Sequence, residues 1–162
     1  MKLTFIQLQQ LEYLTKEFAK LSKNFDLEFE IPFYKLVVKT DLGVLTGDFL
    51  DYESDNYMTT FNPGSANSRA EHISEISHLK GLGDKLRNKL TLKGHTMFVK
   101  KLLIDLNNAP EMLLPFLVEF TSNEEFEEDV YPIVKNVKLS GETYPFLLLD
   151  EFEFSLIGLI EA

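Results

Sequence analysis

The chain has 162 residues, no cysteine and a formal net charge of −10 at pH 7. A chain of this length is expected to fold as one domain that buries roughly 68–70% of its unfolded surface. The lack of cysteine excludes disulfides, thiolate metal ligands and a cysteine nucleophile. No apolar run reaches the roughly 20 residues of a membrane span, and Gln7, Gln9 and Gln10 interrupt any signal-peptide core. We therefore expect a soluble, cytoplasmic protein with no membrane partner.

The N-terminal segment predicts an amphipathic helix. Its apolar stripe follows spacings of three and four residues and consists of Leu11, Leu14, Phe18, Leu21 and Phe25. The opposite face carries Glu12, Lys16, Glu17, Lys20 and Lys23. We expect the stripe to pack on the protein's own sheet, with a coiled-coil dimer as the alternative.

Residues 27–61 predict an antiparallel meander. In the first strand Leu27, Phe29 and Ile31 alternate with glutamates, which is typical of a strand with one solvated face, and a proline follows it. The segments YKLVVKT and VLTGDFL then flank a tight turn at DLG, and YMTTF supplies a further short strand.

The middle of the chain predicts two short helices and then a strand. A capping box of Ser68 and Glu71 begins the first helix, which Gly81 ends. The second helix covers about residues 83–90 and places its leucines on one side. The apolar run HTMFVKKLLI, residues 95–104, predicts a strand through the core.

The C-terminal third predicts a further helix and two strands. The helix opens with Asn108 as its cap and Pro110 at its first position, and Pro115 shortens or kinks it. A capping box of Ser122 and Glu125 follows, and then two strands, PIVKNVKL and YPFLLLDEFEFSLIGLI, joined by SGET. The whole order predicts an α+β fold. We expect a single domain over residues 1–162, with a mainly antiparallel sheet, an N-terminal helix and a central helical segment.

Charge is distributed unevenly along the chain. Residues 1–79 carry a net −5, residues 80–101 a net +6 and residues 102–162 a net −11. The strongest acidic cluster consists of Glu124, Glu125, Phe126, Glu127, Glu128 and Asp129. Acids of this kind complement a helix N-terminus when they are merely solvated. As a function, they predict a surface for a protein partner with a basic surface, with the phenylalanine as an anchor.

The basic segment suggests an alternative, which is nucleic-acid binding. In LKGLGDKLRNKL two glycines one residue apart lie between the two predicted helices, and this arrangement resembles the helix-hairpin-helix turn that holds a DNA phosphate. The cations expected to contact phosphates are Lys80, Lys85, Arg87, Lys89 and Lys93. The bulky Arg87 stands where that motif has a small residue, and the net charge repels DNA at long range. Docking of an acidic protein, or internal counter-charge, explains the same cations.

A small metal-dependent enzyme is the second alternative. Glu71, Glu75 and His78 would share one face of the predicted helix and offer three ligands. The chain has no nucleophile elbow, phosphate loop or dinucleotide fingerprint, and we expect no cofactor and assign no catalytic residue. The leading prediction is a non-enzymatic acidic interaction protein that binds a macromolecular partner. An inhibitor, an immunity protein or a phage-accessory protein would act in this way. The oligomeric state stays open.

Overall fold

The computed structural model describes residues 1–25, 27–51, 57–58, 60–61, 79, 81–90, 96–121, 131–151 and 153–162, and the structural statements below concern those residues. The helices are α1 (Phe5–Ser22), α2 (81–90), α3 (Thr96–Asn108) and α4 (Pro110–Val118). The strands are β1 (Lys2–Thr4), β2 (Tyr34–Thr40), β3 (Gly43–Asp48), β4 (Leu50–Asp51), β5 (Tyr57–Met58), β6 (Thr60–Phe61), β7 (Tyr131–Leu139), β8 (Glu142–Leu148) and β9 (Glu153–Glu161).

Every strand pairing in the described part of the chain is antiparallel. The main sheet has the order β1–β9–β2–β3–β7–β8, the short β6 also pairs with β7, and β4 pairs with β5. Two-residue turns join the central hairpins, and in the β7–β8 turn both Ser140 (φ 51°) and Gly141 (φ 81°) have positive φ, as this tight connection requires. The predicted α+β fold, with its mainly antiparallel sheet, N-terminal helix and central helical segment, is confirmed.

Helix α1 is the central element of the core. It begins at a capping box in which the Thr4 hydroxyl accepts from the Gln7 backbone N–H and the Gln7 side chain accepts from the Thr4 N–H. Its predicted apolar stripe is buried against the sheet: Leu11, Leu14, Phe18 and Leu21 are at most 7% exposed. The N-terminal helix is therefore confirmed, and its stripe packs within its own chain.

The two acids on the opposite face of α1 are buried. Glu12 is only 2% exposed and Glu17 only 9%, whereas Lys20 and Lys23 are exposed. The reason is that α1 is covered on both sides. The sheet lies on one side, while α2 contacts it through Arg87 and α4 through Phe116, whose ring centroid lies 6.4 Å from that of Phe18.

Two predicted strands are not strands. Residues 27–31 have no strand pairing, and their alternating burial arises because an irregular segment lays Leu27, Phe29 and Ile31 against the core. The second, HTMFVKKLLI, is helical over residues 96–104, which belong to α3, and its first residue lies outside the described residues. Its buried residues Val99, Leu103 and Leu106 follow a helical spacing of four and three. In both segments apolar side chains pack in the core as predicted, but the backbone is not a strand.

Two of the predicted helix boundaries need correction. Gly81 lies inside the helical residues, so it does not end a helix. Asn108 closes α3 rather than capping α4; the cap is Ala109, which has no side-chain cap bond, and Pro110 is the first helical residue as predicted. Pro115 lies inside the nine-residue α4.

The predicted C-terminal strand is in fact two strands, β8 and β9. Other strand and helix predictions are confirmed: the β2–β3 hairpin, β7, and the burial of the leucines of α2 on one side, Leu82, Leu86 and Leu90. The segment YMTTF supplies β5 and β6. Residues 62–68 and the capping boxes at Ser68 and Ser122 lie outside the described residues.

Candidate interaction surface

The outer face of the sheet, opposite α1, gathers lysines from three strands. In β2 the inward residues Leu36 and Val38 are fully buried, so the alternating Lys35 and Lys39 point outward. Lys2 lies opposite Ser155 and shares its face, and Ser155 in turn lies opposite Lys39. Pairing therefore carries one row of outward residues across β1, β9 and β2.

Strand β7 brings two more lysines to this face by means of a bulge. Val134 and Val137 are both fully buried although they are three residues apart, because Asn136 between them has φ 50° and adds one residue to the strand. The bulge turns Lys135 and Lys138 to the outer face. The register places Lys138 opposite Thr46 of β3.

Glycine makes the close approach of β3 and β7 possible. A Cβ at Gly47 would lie 2.7 Å from Cγ1 of Val134 and 3.0 Å from the carbonyl oxygen of Lys135. The β3–β7 register also shifts at this point, between Thr46 and Asp48. Only a residue without a side chain fits here, so the glycine supports the bulge that orients the lysines of β7.

Asp48 ties the centre of the outer face together. Its Oδ1 lies 3.7 Å from Nζ of Lys35, and its Oδ2 accepts from Nδ2 of Asn136 at 2.8 Å. Lys135 lies opposite Asp48 on one side and opposite Phe146 of β8 on the other. A continuous cross-strand row therefore leads from β2 to β8.

Apolar side chains occupy both rims of the outer face. On the β8 rim Phe146 is 61% exposed and Leu148 52%. On the β9 rim Ile160, which lies opposite Lys35, is 52% exposed, and Ile157, at the register shift of β9, is 54% exposed. Within the described part of the chain these side chains are left uncovered, which is unusual for residues of this size next to one another on a sheet.

The outer face is positively charged on an acidic protein. Its strand residues include five lysines (Lys2, Lys35, Lys39, Lys135 and Lys138) against the two acids Asp48 and Glu153, a net +3. The chain as a whole carries −10. This concentration of positive charge beside apolar rims is the clearest candidate interaction surface that the described residues form.

A buried carboxylate fixes the chain where it leaves the outer face. After Asp48, the backbone amides of Phe49 and Leu50 donate to Glu12 at 3.3 and 2.8 Å, and Gln9 Nε2 donates to the carbonyl of Phe49 at 3.0 Å. Burial lowers the pKa of Lys16, one turn further along α1, and the nearby carboxylates of Glu12 and Asp48 oppose this lowering. Helix α1 therefore holds the end of β3 in place from beneath.

The predicted basic segment is only partly available for binding. Lys85 and Lys89 are exposed on α2, and Lys89 Nζ lies 6.0 Å from the ring centroid of Phe120. Arg87 instead forms ion pairs with Asp84 and, at 3.1 Å, with Glu17 of α1. The Asp84 hydrogen bond contributes most to raising the pKa of Arg87. For Arg87, internal counter-charge is what the structure shows. Lys80 and Lys93 lie outside the described residues.

The two glycines of the basic segment do not form a turn between helices. Both lie within the helical residues 81–90, so the resemblance to a helix-hairpin-helix turn is not borne out there. A Cβ at Gly83 would lie 3.2 Å from the hydroxyl oxygen of Tyr13. Gly83 thus allows α2 to approach α1 closely, which is a packing role.

The other predicted sites lie outside the described residues. This applies to the acidic cluster Glu124, Glu125, Phe126, Glu127, Glu128 and Asp129, and to the metal-ligand set Glu71, Glu75 and His78. Among the residues that the structure does describe, no group of three or more His, Asp or Glu side chains is arranged to hold a metal ion.

Comparison of the chain with protein-family models, curated proteins and solved structures finds no match. None of the helices in the described ranges combines the length and the hydropathy that crossing a bilayer requires.

The sequence carries only part of the pattern that identifies the outer face. In YKLVVKT the two lysines alternate with buried residues, and this pattern alone assigns Lys35 and Lys39 to a solvated side. Their union with Lys135 and Lys138 depends on the strand order, which brings together residues about a hundred positions apart. The bulge at Asn136 also breaks the alternation that would have revealed the second pair.

Proposed function

We propose that this protein is a non-enzymatic binding protein that docks a macromolecular partner on the outer face of its sheet. The observation that carries the proposal is the joint exposure of lysines and large apolar side chains on one face of a strongly acidic chain. Solvation alone accounts for the lysines, but it does not account for Phe146, Leu148, Ile157 and Ile160.

The proposed mechanism combines electrostatic attraction with the burial of apolar side chains. The lysines attract and orient an acidic region of the partner, which mainly raises the association rate. The apolar rims then lose water. Burying a fully exposed side chain of this size contributes about 1.5–3 kcal/mol, so each half-exposed rim residue supplies about 1 kcal/mol. Four such residues give about 4 kcal/mol before the cost of association, so the contacts of the lysines must supply the rest of the binding free energy.

The finer features of this function remain predictions from the sequence. They are a cytoplasmic location, which the lack of cysteine favours, and an inhibitor-like action such as that of an immunity or phage-accessory protein. Binding of a basic partner by the acidic cluster at 124–129 is a separate prediction, and the experiment below distinguishes it from docking on the sheet.

The test is a pull-down from a nuclease-treated lysate of the protein's own source with three matched variants. K39E/K138E reverses two exposed lysines of the outer face, K85E/K89E reverses two exposed lysines of α2, and E124K/E127K reverses two acids of the acidic cluster. The first two variants change the net charge equally, so they separate the effect of place from that of total charge.

We expect a partner that wild type and K85E/K89E retain and that K39E/K138E loses. Loss of the partner with K85E/K89E alone would show that it binds at α2. Loss of the partner with E124K/E127K alone would show that it binds at the acidic cluster. Equal retention by all three variants, or capture only when nuclease is omitted, would overturn docking of a protein on the sheet.

A further inference from the structure

The outer face offers a partner side chains rather than backbone groups. Strand β2 is bonded to β9 on one side and β3 on the other, and β7 is bonded to β3 and β8. The N–H and C=O groups of these central strands point within the sheet and are used by the ladders. An added strand pairs at an edge, not on a face, so the face requires an element that presents side chains outward.

The spacing of the two rims suits one α-helix. Four interstrand steps separate β9 from β8, which is about 19 Å at about 4.8 Å a step. Ile157 and Ile160 stand on one rim, and Phe146 and Leu148 on the other. This span exceeds the about 10–12 Å diameter of a helix, so one helix can lie between the rims.

The opposite face of the same sheet already accommodates a helix. The 18-residue α1 lies there and buries its apolar stripe against the inward residues Leu36 and Val38 of β2. In α+β folds the helices typically lie on one face of an antiparallel sheet, and the other face can stay solvated. The outer face is therefore available to a helix from a partner.

Charge favours an acidic occupant, and two other occupants are disfavoured, one by charge and one by the scarcity of exposed rings. A second copy packed face to face would place net +3 against net +3, because a two-fold axis brings lysines to lysines. A single-stranded nucleic acid is held by the stacking of its bases on aromatic rings as well as by phosphate contacts, whereas Phe146 is the one exposed ring among the aliphatic residues of the described rims.

From these observations we infer that the outer face binds an acidic amphipathic α-helix of a partner protein. Its carboxylates lie over the lysines of the central strands, including Lys39 and Lys138. Its apolar shoulders pack on the β8 and β9 rims. This inference rests on the proposed function and adds to it the chemistry and the shape of the docked element.

The inference is tested with purified protein and three labelled probes. The first is a synthetic 18-residue helical peptide of Glu, Leu and Ala, the second is the same peptide with Lys in place of Glu, and the third is a single-stranded oligothymidine of matched length. Fluorescence anisotropy gives their affinities for wild type, K39E/K138E, K85E/K89E and F146S/I157S. Thermal unfolding of each variant checks that it is folded.

We expect the acidic peptide to bind wild type and to lose at least about tenfold in affinity with K39E/K138E, since attraction becomes repulsion at two positions. F146S/I157S is expected to weaken it without changing the charge, and K85E/K89E to leave it within about threefold, because its reversed charges are distant. The basic peptide is expected not to bind.

Three outcomes overturn the inference: no binding of the acidic peptide, equal loss in both charge-reversed variants, or tighter binding of the oligothymidine that depends on Lys39 and Lys138. If the acidic peptide does not bind while a captured protein still requires these two lysines, the partner does not dock as an acidic helix and the proposed function stands. If the captured protein does not require them, the proposed function fails.

Discussion

Replacing Glu12 with alanine is expected to be among the most destabilising single changes in this protein. The Glu12 side chain is 2% exposed, and its two oxygens accept from the backbone amides of Phe49 and Leu50 at 3.3 and 2.8 Å. The substitution therefore removes the partner of two backbone donors that hold the end of β3 on α1.

The magnitude follows from these two bonds. A buried donor left without its acceptor costs about 1–3 kcal/mol. Two such donors, together with the space that the shortened side chain leaves, give about 3–5 kcal/mol for Glu12→Ala. That is a large part of the roughly 5–15 kcal/mol by which a domain is stable. Glu12→Gln keeps the size and one acceptor oxygen, so we expect about half of that loss.

Urea denaturation followed by circular dichroism measures the free energy of unfolding of both variants. Glu28→Ala is the matched control, because Glu28 is exposed and its loss is expected to change the stability by at most about 0.5 kcal/mol. A loss below about 1 kcal/mol for Glu12→Ala, or a loss equal to that of the control, would refute the argument that this carboxylate anchors β3.

Three further predictions concern packing, an ion pair and a tyrosine. Gly47→Ala is expected to lower the free energy of unfolding by about 2 kcal/mol through overpacking. Gly81→Ala is expected to raise it by about 0.5–1 kcal/mol, because an added Cβ there meets nothing within 4 Å. Equal free energies of unfolding for the two variants in urea denaturation would contradict this. A double-mutant cycle on Arg87 and Glu17 is expected to give a coupling of about 1 kcal/mol, because the carboxylate is only 12% exposed; zero coupling would show that the pair is incidental. Burial raises the pKa of Tyr34, so the folded state binds this proton more tightly above pH 10, and the stability of the protein falls there as the pH rises. Tyr34→Phe is expected to reduce this fall and to remove one late component from the ultraviolet titration of the tyrosines. An unchanged titration would refute the prediction.

Sequence patterns predicted the elements best where one periodicity dominates. The spacing of Leu11, Leu14 and Phe18 predicted α1, and the alternation in YKLVVKT predicted β2. The same method failed for HTMFVKKLLI, because a short apolar run fits a buried strand and a buried helix equally well. It also failed for residues 27–31, where alternating burial does not require a strand ladder.

The candidate surface was harder to predict than the fold. The basic segment is conspicuous in the sequence because its cations are close together along the chain. The structure shows that Arg87 of that segment is used internally, by Glu17 and Asp84. The lysines of the outer face lie on three strands, and no single strand contributes more than two of them.

The sequence by itself determined the α+β class, the helix α1 and the hairpin of β2 with β3, because these follow from periodicities and turn residues that act over a few positions. Tertiary structure alone decided that Glu12 and Glu17 are buried, since burial depends on what packs against both sides of α1. It also decided that lysines from β1, β2 and β7 share one face. Strand order and bulges are set by long-range pairing, and their effect on which side chains meet is not written in any local stretch of sequence.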